Sequence, residues 1–255
     1  MSAPAKEIAL STQGLGKRFG SLEVARNIEL ALPKGARYAL IGPNGAGKTT
    51  LINLMTGMLT PDSGQISLDG EDITRLAPQQ RVHKGLARTF QINTLFPRLS
   101  ALEAVTLAVC ERKGLATQFW RNLASYKDEI DEAHDILTRL RLGDDCYRET
   151  RELAYGRQRL LEIALALATK PKVLLLDEPA AGVPHEESGE VFEVVANLSD
   201  DLTLLFIEHD MHVVFRFATH IIVLVGGAIF TQGSPAEISA DPRVREVYLG
   251  TRAHG

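Results

Sequence analysis

The run Gly42, Pro43, Asn44, Gly45, Ala46, Gly47, Lys48, Thr49 and Thr50 fits G-x-x-x-x-G-K-[ST] with every fixed position filled. Chemically it is a phosphate cradle. Glycines at 42, 45 and 47 let the backbone turn tightly enough for successive N–H groups to face phosphate oxygens. A helix beginning at the end of the loop adds partial positive charge at the same point. In this motif Lys48 reaches the β- and γ-phosphates of a nucleoside triphosphate, and the Thr49 hydroxyl ligates Mg²⁺. A second group lies at Asp177 and Glu178, straight after the four apolar residues at 173–176. A buried strand ending in two acids delivers both carboxylates to the carboxyl edge of a sheet, where ligands of α/β folds sit. There Asp177 suits holding Mg²⁺ through water, and Glu178 suits orienting or deprotonating an attacking water. Two acids at a strand end would ordinarily be solvated side chains; the company of Lys48-Thr49 favours phosphoryl chemistry.

The elements that must position these groups read as alternating strands and helices. A strand over 38–41 precedes the loop, and a helix over 50–58 follows it with Leu51, Leu54, Met55 and Met58 at helical spacing. Strands over 8–15 and 23–32 flank a turn at Lys17-Arg18-Phe19-Gly20. After a turn at 61–64 come a short strand over 65–68 and another over 85–91 that ends on Gln91. Residues 99–143 are helical in pattern, with helices over 101–110 and 126–142, so they form an insertion in an α/β core. The apolar stretch 157–168 predicts a buried helix, and 172–176 a parallel strand covered on both faces. A helix over 186–198, a strand over 203–207, a helix after Asp210, a hairpin of 221–225 with 228–231, and short helices over 235–239 and 242–249 complete the chain.

Composition narrows the class. The 255 residues are 45% hydrophobic and 24% charged, as in a soluble globular protein of one domain, or one domain with a small subdomain. A net charge of −4 with dispersed basic residues argues against a nucleic-acid partner. Cys110 and Cys146 have no metal-ligand spacing and suit a reducing compartment. Residues 1–7 lack the apolar segment of a signal peptide, and the apolar runs at 160–168 and 221–225 are too short to cross a bilayer. Work at a membrane would therefore require attachment to another protein.

Between the loop and the acids, Leu153-Ala154-Tyr155-Gly156-Arg157-Gln158 stands directly ahead of a helix. With it the chain presents, in order, Phe19, the loop, Gln91, the helical insertion, this signature, Asp177-Glu178 and His209. Along essentially its whole length it resembles the ATP-binding subunits of ABC transporters. The strings Ala87-Arg88-Thr89-Phe90-Gln91, Leu153-Ala154-Tyr155-Gly156, Glu178-Pro179-Ala180-Ala181-Gly182, Ile207-Glu208-His209-Asp210-Met211 and Val247-Tyr248-Leu249-Gly250 are similar to the branch serving branched-chain and other hydrophobic amino acids.

The resemblance implies an α/β P-loop NTPase of the ABC ATPase type: a RecA-like core with an antiparallel β subdomain, plus an inserted α-helical subdomain. Residues 1–255 would be one nucleotide-binding domain, with the core at 1–92 and 156–255 and the helical subdomain at 93–155. It implies that Phe19 stacks on adenine. Gln91 would touch Mg²⁺ or the attacking water, and His209 would hydrogen-bond the γ-phosphate. Without the resemblance these three would read as a core or turn aromatic, a strand-end Gln and a structural His. Thr49, Gln91 and Asp177 would thus serve Mg²⁺, while Lys48, Gln91, Glu178 and His209 would serve hydrolysis. Ala154, Tyr155 and Gly156 would bind the γ-phosphate of ATP held by a second such subunit, the same chain or a paralogue. Two subunits then sandwich ATP head to tail, and hydrolysis reopens the dimer. The implied partners are two transmembrane permease subunits and, indirectly, a periplasmic or extracellular solute-binding protein. The implied location is the cytoplasmic face of the inner or plasma membrane. Import of branched-chain amino acids or related small carboxylates is favoured by the strings around Gln91 and Tyr155. The alternatives are a lipid or lipopolysaccharide exporter and a soluble ABC-type nucleotide switch.

Four positions depart from the family pattern. Ala154 stands where many relatives have Ser, although the amino-acid branch shares this alanine. Arg157 replaces the branch's Gln, either adding a cation near the partner's phosphate or turning to solvent. Leu165 replaces an Arg on the signature helix, removing an ion pair and increasing apolar burial. Pro184-His185 replaces a loop that carries Asp or Asn before Pro, and Pro184 cannot donate a backbone hydrogen bond. Lys48, Asp177, Glu178 and His209 are all kept.

Overall fold

The computed structural model describes residues 7–89, 95–115, 125–183 and 185–250. Packing divides the chain into two compact units, one of residues 1–86, 172–178 and 199–255, the other of 87–171 and 179–198. The second unit takes in the stretch 93–155 expected to be helical, together with 87–92, 156–171 and 179–198, which the expected division assigned to the core.

In the first unit, β1 (Ile8–Phe19), β2 (Leu22–Pro33), β4 (Ser63–Leu68) and β5 (Glu71–Asp72) form an antiparallel sheet in the order β2-β1-β4-β5. A larger sheet has β3 (Arg37–Ile41), β6 (Leu86–Arg88), β7 (Val173–Asp177), β8 (Thr203–Ile207), β9 (His220–Val225) and β10 (Ala228–Gly233), in the order β10-β9-β3-β8-β7-β6. Strand β3 runs parallel to both β8 and β9, and β7 runs parallel to β8. All of Thr203–Ile207 is buried, which explains the unbroken apolar run from Leu204 to Ile207 in β8. Helix α1 (Lys48–Thr56) buries Leu51, Ile52, Leu54 and Met55. These side chains share one core with Leu40, Leu175, Leu205 and Ile222 of the larger sheet and Leu10, Leu15, Ile28 and Ile66 of the smaller.

The second unit is helical. Its members are α3 (Ala101–Arg112), α4 (Lys127–Arg139), α5 (Tyr155–Ala168) and α6 (His185–Ala196). A reciprocal cap starts α3, the Ser100 N–H donating to Glu103 Oε2 at 2.8 Å and the Glu103 N–H to Ser100 Oγ at 3.2 Å. On α4, Ala133 and Leu137 are buried as the spacing predicts, while Ile130 and Ile136 remain partly exposed. Cys110 and Cys146 are free thiols, both buried.

Several boundaries differ from expectation for local reasons. Strand β1 continues through Lys17 and Arg18 to Phe19, so the hairpin turn is Gly20-Ser21 rather than Lys17–Gly20. Helix α1 stops at Thr56 because Gly57 takes a left-handed conformation, φ +79, and donates its N–H to the Leu54 carbonyl at 3.2 Å. Met58 is therefore 61% exposed instead of continuing the apolar face. Of the strand expected over 85–91, β6 covers Leu86–Arg88 and residues 90 and 91 lie outside the described residues; directly before it stands a helix that periodicity did not reveal, α2 (Pro78–Lys84).

The buried anchor of α2 is a cation. Arg81, fully buried, donates from Nη1 to the carbonyls of Leu54 (2.8 Å) and Met55 (2.6 Å) at the end of α1. Its Nε and Nη2 donate to the carbonyls of Leu76 (3.0 Å) and Thr74 (2.8 Å). A guanidinium thus caps the helix that follows the phosphate loop and meets the negative end of its dipole. Replacing Arg81 with Met should lower the unfolding free energy by about 3 kcal/mol, because buried carbonyls lose charged donors. Urea denaturation of the two chains checks this; equal stabilities would deny Arg81 that role.

Candidate nucleotide-binding site

The loop that fits the phosphate motif connects β3 to α1, as its sequence requires. Gly47, φ +101, precedes the first helical residue, and the first turn of α1 has neither a side-chain cap nor an acidic residue. Such a helix end suits an anion. Close backbone contacts demand glycine in two places. A Cβ on Gly47 would lie 2.6 Å from the Val24 carbonyl oxygen, and one on Gly42 would run into the Leu224 carbonyl. Lys48 folds back over the loop, its Nζ donating to the carbonyls of Gly42 (2.7 Å) and Pro43 (3.1 Å). Burial lowers its pKa, opposed by the nearby Glu178 and Asp177 carboxylates. Asn44, Gly45 and Thr49 are exposed, while Pro43, Thr50 and Lys48 are partly covered and Ala46 is buried.

Strand register assembles the rest. Leu40 of β3 and Asp177 of β7 both stand opposite Ile207 of β8, so three strand ends finish side by side. The loop after β3, Glu208-His209 after β8 and Asp177-Glu178 at the end of β7 therefore share one carboxyl edge. Glu178 adopts a left-handed backbone, φ +49, unusual for a residue with a side chain, and donates its N–H to the Ile207 carbonyl at 3.2 Å. The His209 side chain is 71% exposed, so it is free of the apolar core.

Behind His209 stands a group that the motifs did not single out. Glu208 is buried, and its Oε2 accepts the N–H groups of His209 (2.9 Å) and Asp210 (3.4 Å). Burial raises its pKa against those two hydrogen bonds. The available signal was a carboxylate directly after four apolar residues, Leu204 to Ile207. Phe19 ends β1 with 50% of its surface exposed, so it is not a core aromatic. Lys17 Nζ lies 5.7 Å from its ring centre. Gln91 and Pro184 lie outside the described residues.

The signature belongs to the second unit. Ala154 occupies the N-cap position of α5 and supplies no side-chain cap, while Tyr155 and the buried Gly156 begin the helix. Arg157 is partly exposed, and its guanidinium lies near carboxylates of its own unit. Its Nε lies 3.7 Å from Asp145 Oδ2, its Nη2 3.8 Å from Glu190 Oε1, and its Nη1 donates to the Arg141 carbonyl. Leu165 is only partly buried, so the apolar gain from replacing an arginine there is incomplete.

A phosphate loop on a parallel sheet, with acids and a histidine at the same edge, defines an ATPase of the phosphate-loop class. A family model described as ABC transporter matches residues 25–181, and one described as branched-chain amino acid ATP-binding cassette transporter matches 229–254. The chain is 38% identical to the high-affinity branched-chain amino acid transport ATP-binding protein BraF of Pseudomonas aeruginosa, over 98% of this chain and 99% of that protein. It is likewise 38% identical to LivG of Escherichia coli, which carries the same description, over 94% and 97% of the two chains. The solved ADP conformation of MJ1267, an ATP-binding cassette of an ABC transporter, superposes with a TM-score of 0.84 at 32% identity, covering 95% of this chain and 99% of that one. The chain belongs to the ABC transporter family, as one of its ATP-binding cassettes.

Three substitutions probe this geometry. Gly47→Ala should cost about 2–4 kcal/mol of stability through crowding and left-handed strain, whereas Gly45→Ala, which meets only open space, should cost about 1 kcal/mol. Thermal unfolding of the pair should show that order, and equal costs would contradict the crowding. Arg157→Gln should change stability by less than about 1 kcal/mol, since its ion pairs are partly exposed and long. A larger loss in denaturant titration would mean that the cluster is structural.

Proposed function

We propose that this cassette binds and hydrolyses ATP to power an ABC importer of branched-chain amino acids or related small carboxylates. The observation that carries hydrolysis is the shared carboxyl edge of β3, β8 and β7, which gathers Lys48, Asp177, Glu178 and His209. The cargo reading is supported by near-full-length similarity to BraF and LivG and by the family match at 229–254.

The loop residues fit a triphosphate. Backbone N–H groups of Gly42 to Thr50 and the Lys48 amine would hold its phosphates, and Phe19 would stack on the adenine. No cluster of three or more His, Cys, Asp or Glu side chains stands ready for a metal among the described residues. Mg²⁺ fits such a site nonetheless, since it favours one or two protein oxygens together with phosphates and water. Thr49, Asp177 and Gln91 would hold it, and when bound it neutralises charge on the phosphate oxygens. Glu178 orients the attacking water and takes its proton, while the exposed His209 side chain hydrogen-bonds the γ-phosphate. Gln91 serves that same end of the nucleotide.

Ala154, Tyr155 and Gly156, at the end of the helical subdomain of 93–155, meet ATP held by a second subunit in a head-to-tail dimer. Closure and reopening of that dimer would drive two permease subunits, fed by a periplasmic or extracellular solute-binding protein. No helix among the described residues is long and apolar enough to cross a membrane. Attachment through the permeases, at the cytoplasmic face of the inner or plasma membrane, follows from this reading.

Glu178→Gln should retain ATP binding, lower kcat by at least about 100-fold and accumulate an ATP-bound dimer on gel filtration. Near-wild-type turnover would sink the assignment of the base. Lys48→Ala should weaken nucleotide binding itself, and unchanged affinity in a fluorescent-nucleotide titration would count against the cradle. Solute-dependent ATPase of the cassette assembled with its permeases tests the cargo.

A further inference from the structure

Helix α5 carries a buried ion pair to which the roles above give no part. Arg159 and Glu162 have side chains only 11% and 4% exposed, and Arg159 Nη1 donates to Glu162 Oε2 at 3.0 Å. Arg159 Nη2 donates both to the Tyr155 hydroxyl at 3.1 Å and to the Ala181 carbonyl at 3.1 Å. The guanidinium also lies 5.3 Å from the centre of the Tyr155 ring. Beside Ala181, Gly182 has φ +78, and a Cβ there would lie 2.9 Å from the Tyr155 hydroxyl. The Tyr155 ring is thus packed against the segment that follows Asp177-Glu178 in the chain.

As a stabilising device the pair is poor. Arg159 Nε and Glu162 Oε1 are buried without hydrogen-bond partners. Burial pushes the Glu162 carboxyl up to about 7, against the pull of Arg159. Apolar side chains of similar size would serve a core as well or better. What they could not do is hold three acceptors at once with a planar fork of donors.

We propose that Arg159 is a positioning residue for the ATPase cycle, clasping Tyr155 of the signature to the Ala181 carbonyl with Glu162 as its anchor. The turn offered to the partner's nucleotide and the segment leaving this chain's own catalytic acids then move as one piece. Engagement of one nucleotide is thereby passed toward the acids that act on the other. This inference rests on the roles given above to Tyr155 and Glu178.

The test uses the full chain carrying Glu178→Gln, with Arg159→Lys added to keep the charge and lose the fork. Binding of a fluorescent ATP analogue to the single subunit should stay within about twofold, while ATP-induced dimer formation on gel filtration should need at least about tenfold more ATP. Without the Glu178 change, Arg159→Lys should lower kcat by about tenfold at nearly unchanged nucleotide affinity. Tyr155→Phe, which removes only the hydroxyl acceptor, should act in the same direction more weakly. The double variant should be no worse than Arg159→Lys alone, because the two share one bond. A folded Arg159→Lys chain that dimerises and turns over like its parent overturns the clasp, as do effects that simply multiply in the double variant. If Arg159→Lys does not fold, Tyr155→Phe decides, and parental dimerisation and turnover by that variant overturn the proposal. If Glu178→Gln alone forms no dimer, the fault lies with the proposed function, and the kcat cycle of Arg159 and Tyr155 still decides the clasp.

Discussion

The parallel register of β3, β8 and β7 is the constraint on which the site depends. Backbone hydrogen bonding sets Leu40 and Asp177 on either side of Ile207, so the loop and the acids reach one edge. A one-residue slip in either pairing would turn every side chain of that strand to the other face and take Leu175 or Leu205 out of the shared core. Burial therefore enforces the geometry: the apolar positions that hold the sheet in register also hold Lys48 and the carboxylates together. The left-handed backbone at Glu178 is maintained within this frame, where its N–H is taken by the Ile207 carbonyl.

Among the described residues, charged side chains are buried at few points, and three of these restrain elements of the proposed machinery. Arg81 holds the far end of the helix that follows the phosphate loop. Glu208 receives the backbone N–H groups of the turn carrying His209. The Arg159–Glu162 pair gathers the signature turn and the segment at Ala181. Each uses several hydrogen bonds to restrain an element that carries a functional side chain without touching the reacting atoms. Apolar packing alone is less directional, because dispersion and hydrophobic contacts do not specify which carbonyl faces which donor.

Much was legible from residue order. The loop, the two strands ending in Asp177 and Ile207, the helical insertion and the signature that opens α5 are contiguous patterns whose local chemistry announces them. Helix α2 was not legible, since its deepest side chain is an arginine and periodicity looks for apolar ones. The end of α1 was misjudged because Met58 continues the spacing while Gly57 ends the helix. Arg157 gave two plausible readings from its position in the signature, and neither anticipated carboxylates from two other parts of the second unit.

By itself the sequence determined the phosphate-binding chemistry, the family and the succession of elements, because each is written in neighbouring residues or short fixed spacings. Only the tertiary structure decided how Arg81, Glu208 and Arg159 are used. The same three residue types on the surface would be ordinary solvated charges. Burial removes water as their partner, so they must be satisfied by whichever groups the fold brings near: chain-distant helix-end carbonyls for Arg81, turn N–H groups for Glu208, and helix neighbours with the Ala181 carbonyl for Arg159.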